Sequence, residues 1–510
     1  MGTITVMNKN FFALIEARLG EQPDKICLNC DGEVSISNAE LLQQTACISQ
    51  FIKSQGIEPG ERLVVQVPKS AFAVALYLAC LRSGVIYIPL NTSYTAEEVS
   101  YFLGDATPRI FVCDPVQKDS LADVADQHGA KLLTLDGNGS GTLADSVAGL
   151  EADTEIAEMA DDDIAVILYT SGTTGRSKGA MLSHRNLASN ALHLVNIWAF
   201  SDQDVLLHAL PIYHVHGLFV ALHCALLSNA TMNFLGGFDA QKIVDYLPQS
   251  TVLMGVPTFY TRLLKHSGFN QEACQTMRLF ISGSAPLLAE TFEEFEQVTG
   301  HRILERYGMT ETGMLVSNPL DGERVAGTVG FPLPEVETRI VDDQRQLVPA
   351  GEVGILEVRG PNVFQGYWKM PEKTAEEFRE DGFFITGDLA SHDPDGRITL
   401  VGRNKDMIIS GGLNIYPIEI ETCINEMSGI IESAVIGVPH EDFGEGVVAV
   451  IVREQSGGVE EEQVFETLSG QIARFKQPKK IVFVDALPRN SMGKVQKNVL
   501  RDQYKDLLVS

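Results

Sequence analysis

The sequence predicts an α/β protein: a large N-terminal domain of mostly parallel sheets with flanking helices and a β-rich subdomain, residues 1–403, then a small α+β domain, residues 404–510. Three observations predict it. Apolar strand-like runs alternate with amphipathic helical runs through about the first four hundred residues, the grammar of parallel strands with helices on both faces. The pattern then shifts to short strands and turns, as in "VETRIVDDQRQLVPAGEVGILEVRG". After "ITLVGRNKDMIISGG" a compact α+β unit begins, so the boundary is set near Arg403 to Lys405.

Taken in order, "RLVVQV" is a strand, Ala71–Arg82 a helix, "VIYIPL" a strand, "AEEVSYFLGDA" a helix and "RIFVCD" a strand. The stretch from Ala71 to Leu90 is apolar but broken by Arg82, Ser83 and Gly84, so it reads as a buried helix and a strand, not a membrane span. The acidic "EADTEIAEMADDD" reads as a solvated connector. No internal repeat or low-complexity tail is evident.

The 510 residues carry a formal charge of −28, which argues against nucleic acid or an anionic membrane as partner. The N-terminal "FFALIEARLG" is amphipathic and lacks the unbroken apolar core of a signal peptide, and Val6 stands where a myristoylation signal wants Ser or Thr. The eight cysteines are scattered, so reduced thiols in a cytoplasmic protein are expected. Cys27 and Cys30 form one C-x-x-C with no second pair to complete a zinc site.

Chemistry enters with "ILYTSGTTGRSKGAMLSH", Ile167 to His184. A strand empties into glycines, hydroxyls and Lys178, followed by a helix-like continuation. Glycines permit tight backbone turns, hydroxyls donate hydrogen bonds and lysine adds charge, which suits phosphate oxygens. The spacing is not that of a Walker A loop. Four more stretches matter. "ERYGMTET" sets Thr310 and Glu311 after a strand and a turn, where a carboxylate beside a phosphate loop suits magnesium. "FFITGDL" ends a short strand at Asp388, whose two oxygens suit ribose hydroxyls. "LVGRNKDMIISGG" offers Arg403 and the pair Gly411 and Gly412. "LPRNSMGKVQK" presents Lys494 after Gly493. Each alone has an ordinary structural reading: a cap, a turn, a surface ion pair. Their joint occurrence does not.

The set resembles the adenylate-forming superfamily of acyl-CoA synthetases, adenylation domains and luciferases, over the whole chain. By that resemblance Thr170, Ser171, Gly172, Thr173, Thr174, Gly175 and Lys178 grip the β- and γ-phosphates of ATP. Thr310 meets the α-phosphate and Glu311 the Mg2+, while Asp388 and Arg403 bind ribose. The nucleotide site is completed by Ser284, Ala285, Glu305, Arg306, Tyr307, Gly308, Met309, Gly411 and Gly412. Lys494 is the mobile lysine of adenylation, so the C-terminal domain becomes a lid that rotates about the hinge Lys405 before the thiol of coenzyme A attacks.

The acyl pocket is expected from "HALPIYHVHG", "MGVPTFYTRLL" and "LFISGSAPL", with His214, Arg262, Ser284 and Met309. A fatty-acid enzyme would keep this surface apolar. A cation at Arg262 and a hydroxyl at Ser284 suit a second carboxylate instead. These stretches resemble the malonyl-CoA synthetase branch of the superfamily, which implies malonate, and also methylmalonate, as substrate. Gly313 and Met314 lie where they could tune that tolerance. His214 is expected to act at the pocket wall and not as a metal ligand, since His216 gives it one partner and no third is apparent. The alternatives are another short or medium acid, or a stand-alone enzyme that loads a carrier protein. The expected protein is a monomer or homodimer whose partners are ATP, coenzyme A and a small acid.

Overall fold

The computed structural model describes residues 8–170, 177–411, 413–440, 443–454, 458–490 and 494–509. Among these the chain forms two large sheets, a smaller antiparallel sheet and a C-terminal sheet. The first large sheet has seven strands, in the order Gly366–Tyr367, Lys178–Ser183, Ile164–Thr170, Ile86–Pro89, Arg62–Gln66, Ile110–Cys113, Lys131–Thr134, and its last five strands pair in parallel. The second has nine. Its centre, Leu304–Met309, Leu279–Ser282, Val252–Gly255, Val205–His208, Thr231–Phe234 and Ile26–Cys30, is parallel throughout.

One continuous apolar core joins both sheets through the helices Phe11–Gly20, Asn38–Ser54, Ala71–Arg82 and His184–Ile197. Ala71–Arg82 is buried all round from Phe72 onward, as a helix between two layers must be. Its start is fixed by Ser70, whose hydroxyl accepts from the Ala73 N–H. Its one charge, Arg82, is compensated by Glu16 at 2.6 Å and by the Asp153 carbonyl at 2.8 Å. The segment expected as a solvated connector is therefore pinned to the core at Asp153.

Two local expectations change. After Lys178 the chain continues as a strand, Lys178–Ser183, antiparallel to Ile164–Thr170, and the helix starts only at His184. Ser183 accepts from the Asn186 N–H there, which is the stop and start signal. The glycine-rich stretch thus joins a hairpin, not a strand to a helix. Asp388 likewise does not end a strand; it lies within Phe384–His392.

The β-rich part is the antiparallel sheet Glu337–Val341, Gly354–Arg359, Phe384–His392, Ile398–Arg403. A short turn, Asn404–Asp406, leads into the C-terminal unit, whose strands Ile408–Ser410, Leu413–Ile415, Ile430–His440, Gly444–Arg453 and Lys480–Val484 carry the helices Pro417–Asn425, Glu461–Gln471 and Lys497–Tyr504. It has apolar clusters of its own. The cysteines are free, and no described helix is long and apolar enough to cross a membrane.

Candidate active site

Several expected site residues stand at or just past the ends of strands in the large sheets, Thr170 in one, and Ser284, Thr310 and Glu311 in the other, where open α/β sheets usually form their ligand crevice. On the nucleotide side Asp388 and Arg403 are direct cross-strand partners, and Arg403 Nε lies 2.6 Å from Asp388 Oδ1. The Tyr307 hydroxyl donates to the other carboxylate oxygen. Burial pushes the Asp388 carboxyl up, against the opposing pull of Arg403 and Tyr307.

Thr310 and Glu311 occupy the turn between Leu304–Met309 and Gly313–Ser317. Gly308 precedes them because a Cβ there would meet the Gly313 carbonyl oxygen at 2.1 Å. Glu311 is buried, which raises its carboxyl, and it accepts from the Tyr367 hydroxyl at 3.0 Å. The same hydroxyl lies 2.7 Å from Glu377 Oε2, so its single proton serves two carboxylates. Lys178 is also here: its Nζ is 3.0 Å from Glu377 Oε1 and 4.0 Å from the centre of the Tyr367 ring. Tyr367 and Glu377 had no signal in the sequence; Lys178 reaches Glu377 across 199 residues.

Thr170 closes its strand half-buried. Ser171, Gly172, Thr173, Thr174, Gly175 and Gly412 lie outside the described residues. Gly411 has φ +58° and its N–H donates to the Phe443 carbonyl at 2.9 Å. Lys405 sits in the turn Asn404–Asp406, which Arg501 holds through Asp406 at 2.7 Å. The Lys494 N–H donates to Asn490 Oδ1 at 2.9 Å, and its side chain is accessible to water yet walled by protein. That crowding lowers its pKa, as does Arg403, while Asp388 and Glu311 oppose. The C-terminal unit thus brings its lysine within electrostatic reach of Arg403, Asp388 and Glu311.

The stretches expected to line an acyl pocket are built differently. His214 and His216 lie on the loop after Val205–His208, and His216 opens a wide π turn, His216–Ala221. The Ser284 hydroxyl and His216 Nδ1 are 3.3 Å apart, and Ser284 holds φ +74°, a strained value for a residue with a Cβ. Behind them lies Arg306, 3% exposed, with Nε and Nη2 both without a hydrogen-bond partner among the described residues. Its guanidinium packs on Gly283, where a Cβ would stand 2.3 Å from Nη1. Burial pushes Arg306 down to about 9, and burial with the charges of Lys494 and Arg306 pushes His214 down to about 3. Both histidines facing this cation are therefore neutral near pH 7.

Arg306, expected with the nucleotide, faces Gly283, His214 and His216, because side chains alternate along the strand and its neighbour Tyr307 takes the face toward Asp388. Arg262 forms no hydrogen bond with Ser284 among the described residues. It lies exposed on the helix Pro257–Leu264, with its guanidinium carbon 5.5 Å from the centre of the Phe238 ring. Met309 is half-buried and Ala285 exposed. Glu305 is buried, accepts from the Gly327 N–H at 3.3 Å and is pushed up to about 8 by burial.

No group of three or more His, Cys, Asp or Glu side chains that could hold a metal ion occurs among the described residues. Glu311 fits Mg2+ in another way: a lone hard carboxylate suits an ion that takes its other ligands from phosphate and water.

Comparison with known proteins places this geometry. The AMP-binding enzyme model matches residues 15–368 and the AMP-binding enzyme C-terminal domain matches 419–494. The chain belongs to the AMP-binding enzyme family. Among curated members, Malonate–CoA ligase ACSF3, mitochondrial, of Mus musculus is 37% identical over 508 residues, covering 91% of this chain and 86% of that one. The crystal structure of ATP-bound MatB from Rhodopseudomonas palustris superposes with a TM-score of 0.96 at 53% identity, covering 98% of this chain and 100% of the other. Apo MatB from the same organism gives 0.84 at the same identity and coverage. The arrangement of the whole chain is thus nearer the ATP-bound form of that family member.

Proposed function

We propose that this chain is an acid–thiol ligase that joins malonate to coenzyme A at the expense of ATP, through malonyl-AMP. A malonate carboxylate oxygen attacks the α-phosphorus of ATP and pyrophosphate leaves. The CoA sulfur then attacks the acyl carbon and AMP leaves. The names of the relatives support this reading, and one observation in this chain carries it. Arg306 is a buried cation with two unspent donors, set behind Ser284 and His216. Such a group is costly until an anion arrives, and a planar carboxylate matches its fork. A monocarboxylate would use its only carboxylate for the chemistry and leave Arg306 unpaired; a dicarboxylate satisfies both. Arg262, exposed on its helix, serves as a second cation at the rim.

Asp388 and Arg403 take the ribose and Lys178 turns from Glu377 toward the phosphates. Thr310 and Lys494 meet the α-phosphate, where two anions must approach and preorganised positive charge lowers the barrier. Glu311 holds Mg2+, which adds charge neutralisation on the phosphates when bound. After adenylation the lid rotates about Lys405 to admit the thiol. The test is AMP release with coenzyme A across C2 to C10 mono- and dicarboxylates: malonate should lead, with methylmalonate next. A preference for butyrate or hexanoate over every diacid would overturn the reading.

A further inference from the structure

The acyl side is held in place by a buried tie that crosses between the two large sheets. Lys69 follows the strand Arg62–Gln66 of the seven-stranded sheet, while His208 ends Val205–His208 of the nine-stranded one. The Lys69 amino group lies 2.9 Å from His208 Nδ1, donates to the His208 carbonyl at 2.7 Å, and sits 4.1 Å from the centre of the Phe234 ring. It forms no ion pair among the described residues. On the other edge of the same ring, His208 Nε2 lies 2.9 Å from the Gly217 carbonyl oxygen.

A carbonyl can only accept, so Nε2 must carry the proton and Nδ1 must be the acceptor. Burial and the neighbouring Lys69 keep the ring from taking a second proton. The tautomer is therefore determined by its two partners, one on each side. Its consequence lies in the loop between them. His208 and Gly217 bracket the segment that carries His214 and His216, and Gly217 has no slack: a Cβ on it would stand 2.0 Å from the Pro211 carbonyl oxygen. The next residue back, His216, meets Ser284 at 3.3 Å.

We propose that Lys69 is a positioning residue for the acyl pocket: by donating to His208 Nδ1 it fixes the Nε2–H form, which clamps Gly217 and so sets His216 and Ser284 against Arg306. The inference rests on the acyl-pocket reading above. Without Lys69 the His208 ring is free to turn or change tautomer, Gly217 loses its donor, and the loop end shifts. Displacements of about 1 Å at substrate-positioning groups lower rates by around a hundredfold.

The test joins a spectrum to kinetics. In the full-length wild type labelled with 15N-histidine, long-range proton–nitrogen correlations, assigned with His208→Gln, should show His208 protonated at Nε2. In Lys69→Met the malonate KM should rise about ten- to a hundredfold while the ATP KM stays within about twofold. A wild-type His208 protonated at Nδ1 overturns the proposal, and this measurement decides should Lys69→Met fail to fold. An unchanged malonate KM, or an ATP KM that rises in parallel, also overturns it, because general structural damage would weaken both substrates. An Arg306→Met enzyme with normal malonate KM removes the underlying pocket reading, and the proposal with it, while the His208 tautomer still reports whether the tie exists.

Discussion

Arg306→Met separates stability from function in one substitution. The guanidinium is buried, two of its nitrogens find no acceptor, and burial holds its pKa down at about 9. A displacement of that size corresponds to roughly 5 kcal/mol set against the charge in the empty pocket. Methionine has similar length and no charge, so the empty protein should become more stable, by about 1–4 kcal/mol on the precedent of buried ions replaced by apolar side chains. Malonate should suffer in the opposite direction. Truncating one partner of a buried charge pair costs about 2–5 kcal/mol, which is a fall of roughly 30- to 5000-fold in kcat/KM. Arg262→Ala, at an exposed cation, should cost less. The assay pairs thermal unfolding of the ligand-free protein with steady-state AMP release on malonate and on acetate, whose single carboxylate never reaches Arg306. A variant that is less stable and keeps its malonate kcat/KM would refute the reasoning, since Arg306 would then be a satisfied structural residue.

The remaining expectations concern the nucleotide side and the lid. Asp388→Ala should weaken ATP binding by calorimetry far more than malonate binding, because it removes the acceptors facing Arg403 and Tyr307 and leaves Ser284 and Arg306 untouched; unchanged ATP affinity would exclude the ribose role. Lys494→Ala should slow pyrophosphate release by about two to three orders of magnitude and spare thioester formation from supplied malonyl-AMP, while Lys405→Pro should do the reverse; parallel loss of both half-reactions would mean a static site. Glu305 is pushed up to about 8 in the fold, so it folds protonated at pH 7 and its contribution is lost as pH rises through that value. Glu305→Gln should therefore flatten the fall in melting temperature between about pH 5 and 8, and an unchanged slope would show that another group carries it.

Residues whose partners lie nearby in sequence, or in a motif that must act as a set, could be read directly. Asp388 and Arg403 are cross-strand neighbours fifteen positions apart, and Lys494 announces itself by a Ser/Gly turn near the end of a compact unit. The helix Ala71–Arg82 was legible because nothing but burial on all sides explains so apolar a segment with helical length. Other contacts have no local signature. Lys178 meets Glu377, and Lys69 meets His208 across 139 residues, so only the packing of the sheets reveals them. Arg306 falls between these cases. Its motif pointed to the nucleotide, yet the period of two along a strand sends Arg306 and Tyr307 to opposite faces, a signal present in the sequence and outweighed by the motif. The strand Lys178–Ser183 was missed for a related reason: glycine and small residues carry little strand preference, and its pairing with Ile164–Thr170 is what selects it.

The two halves of the crevice differ in how their charges wait for substrate. On the nucleotide side the charges are already paired: Asp388 with Arg403 and Tyr307, Glu311 with Tyr367, Lys178 with Glu377. A nucleotide bound as proposed would exchange partners there, so each new contact gains only the difference between two satisfied states. On the acyl side Arg306 is unpaired and the neighbouring His214 and His216 are neutral, so a carboxylate meets donors with nothing to give up. In a chain of net charge −28, which repels a dianion at long range, such a concentration of unspent donors would, on the proposed reading, offset that repulsion for a small diacid. It also explains why selectivity should be steep. An acid lacking the second carboxylate would bury Arg306 without a partner and forgo the whole of that gain, so discrimination arises from the cost of the unfilled site as much as from the fit of the filled one.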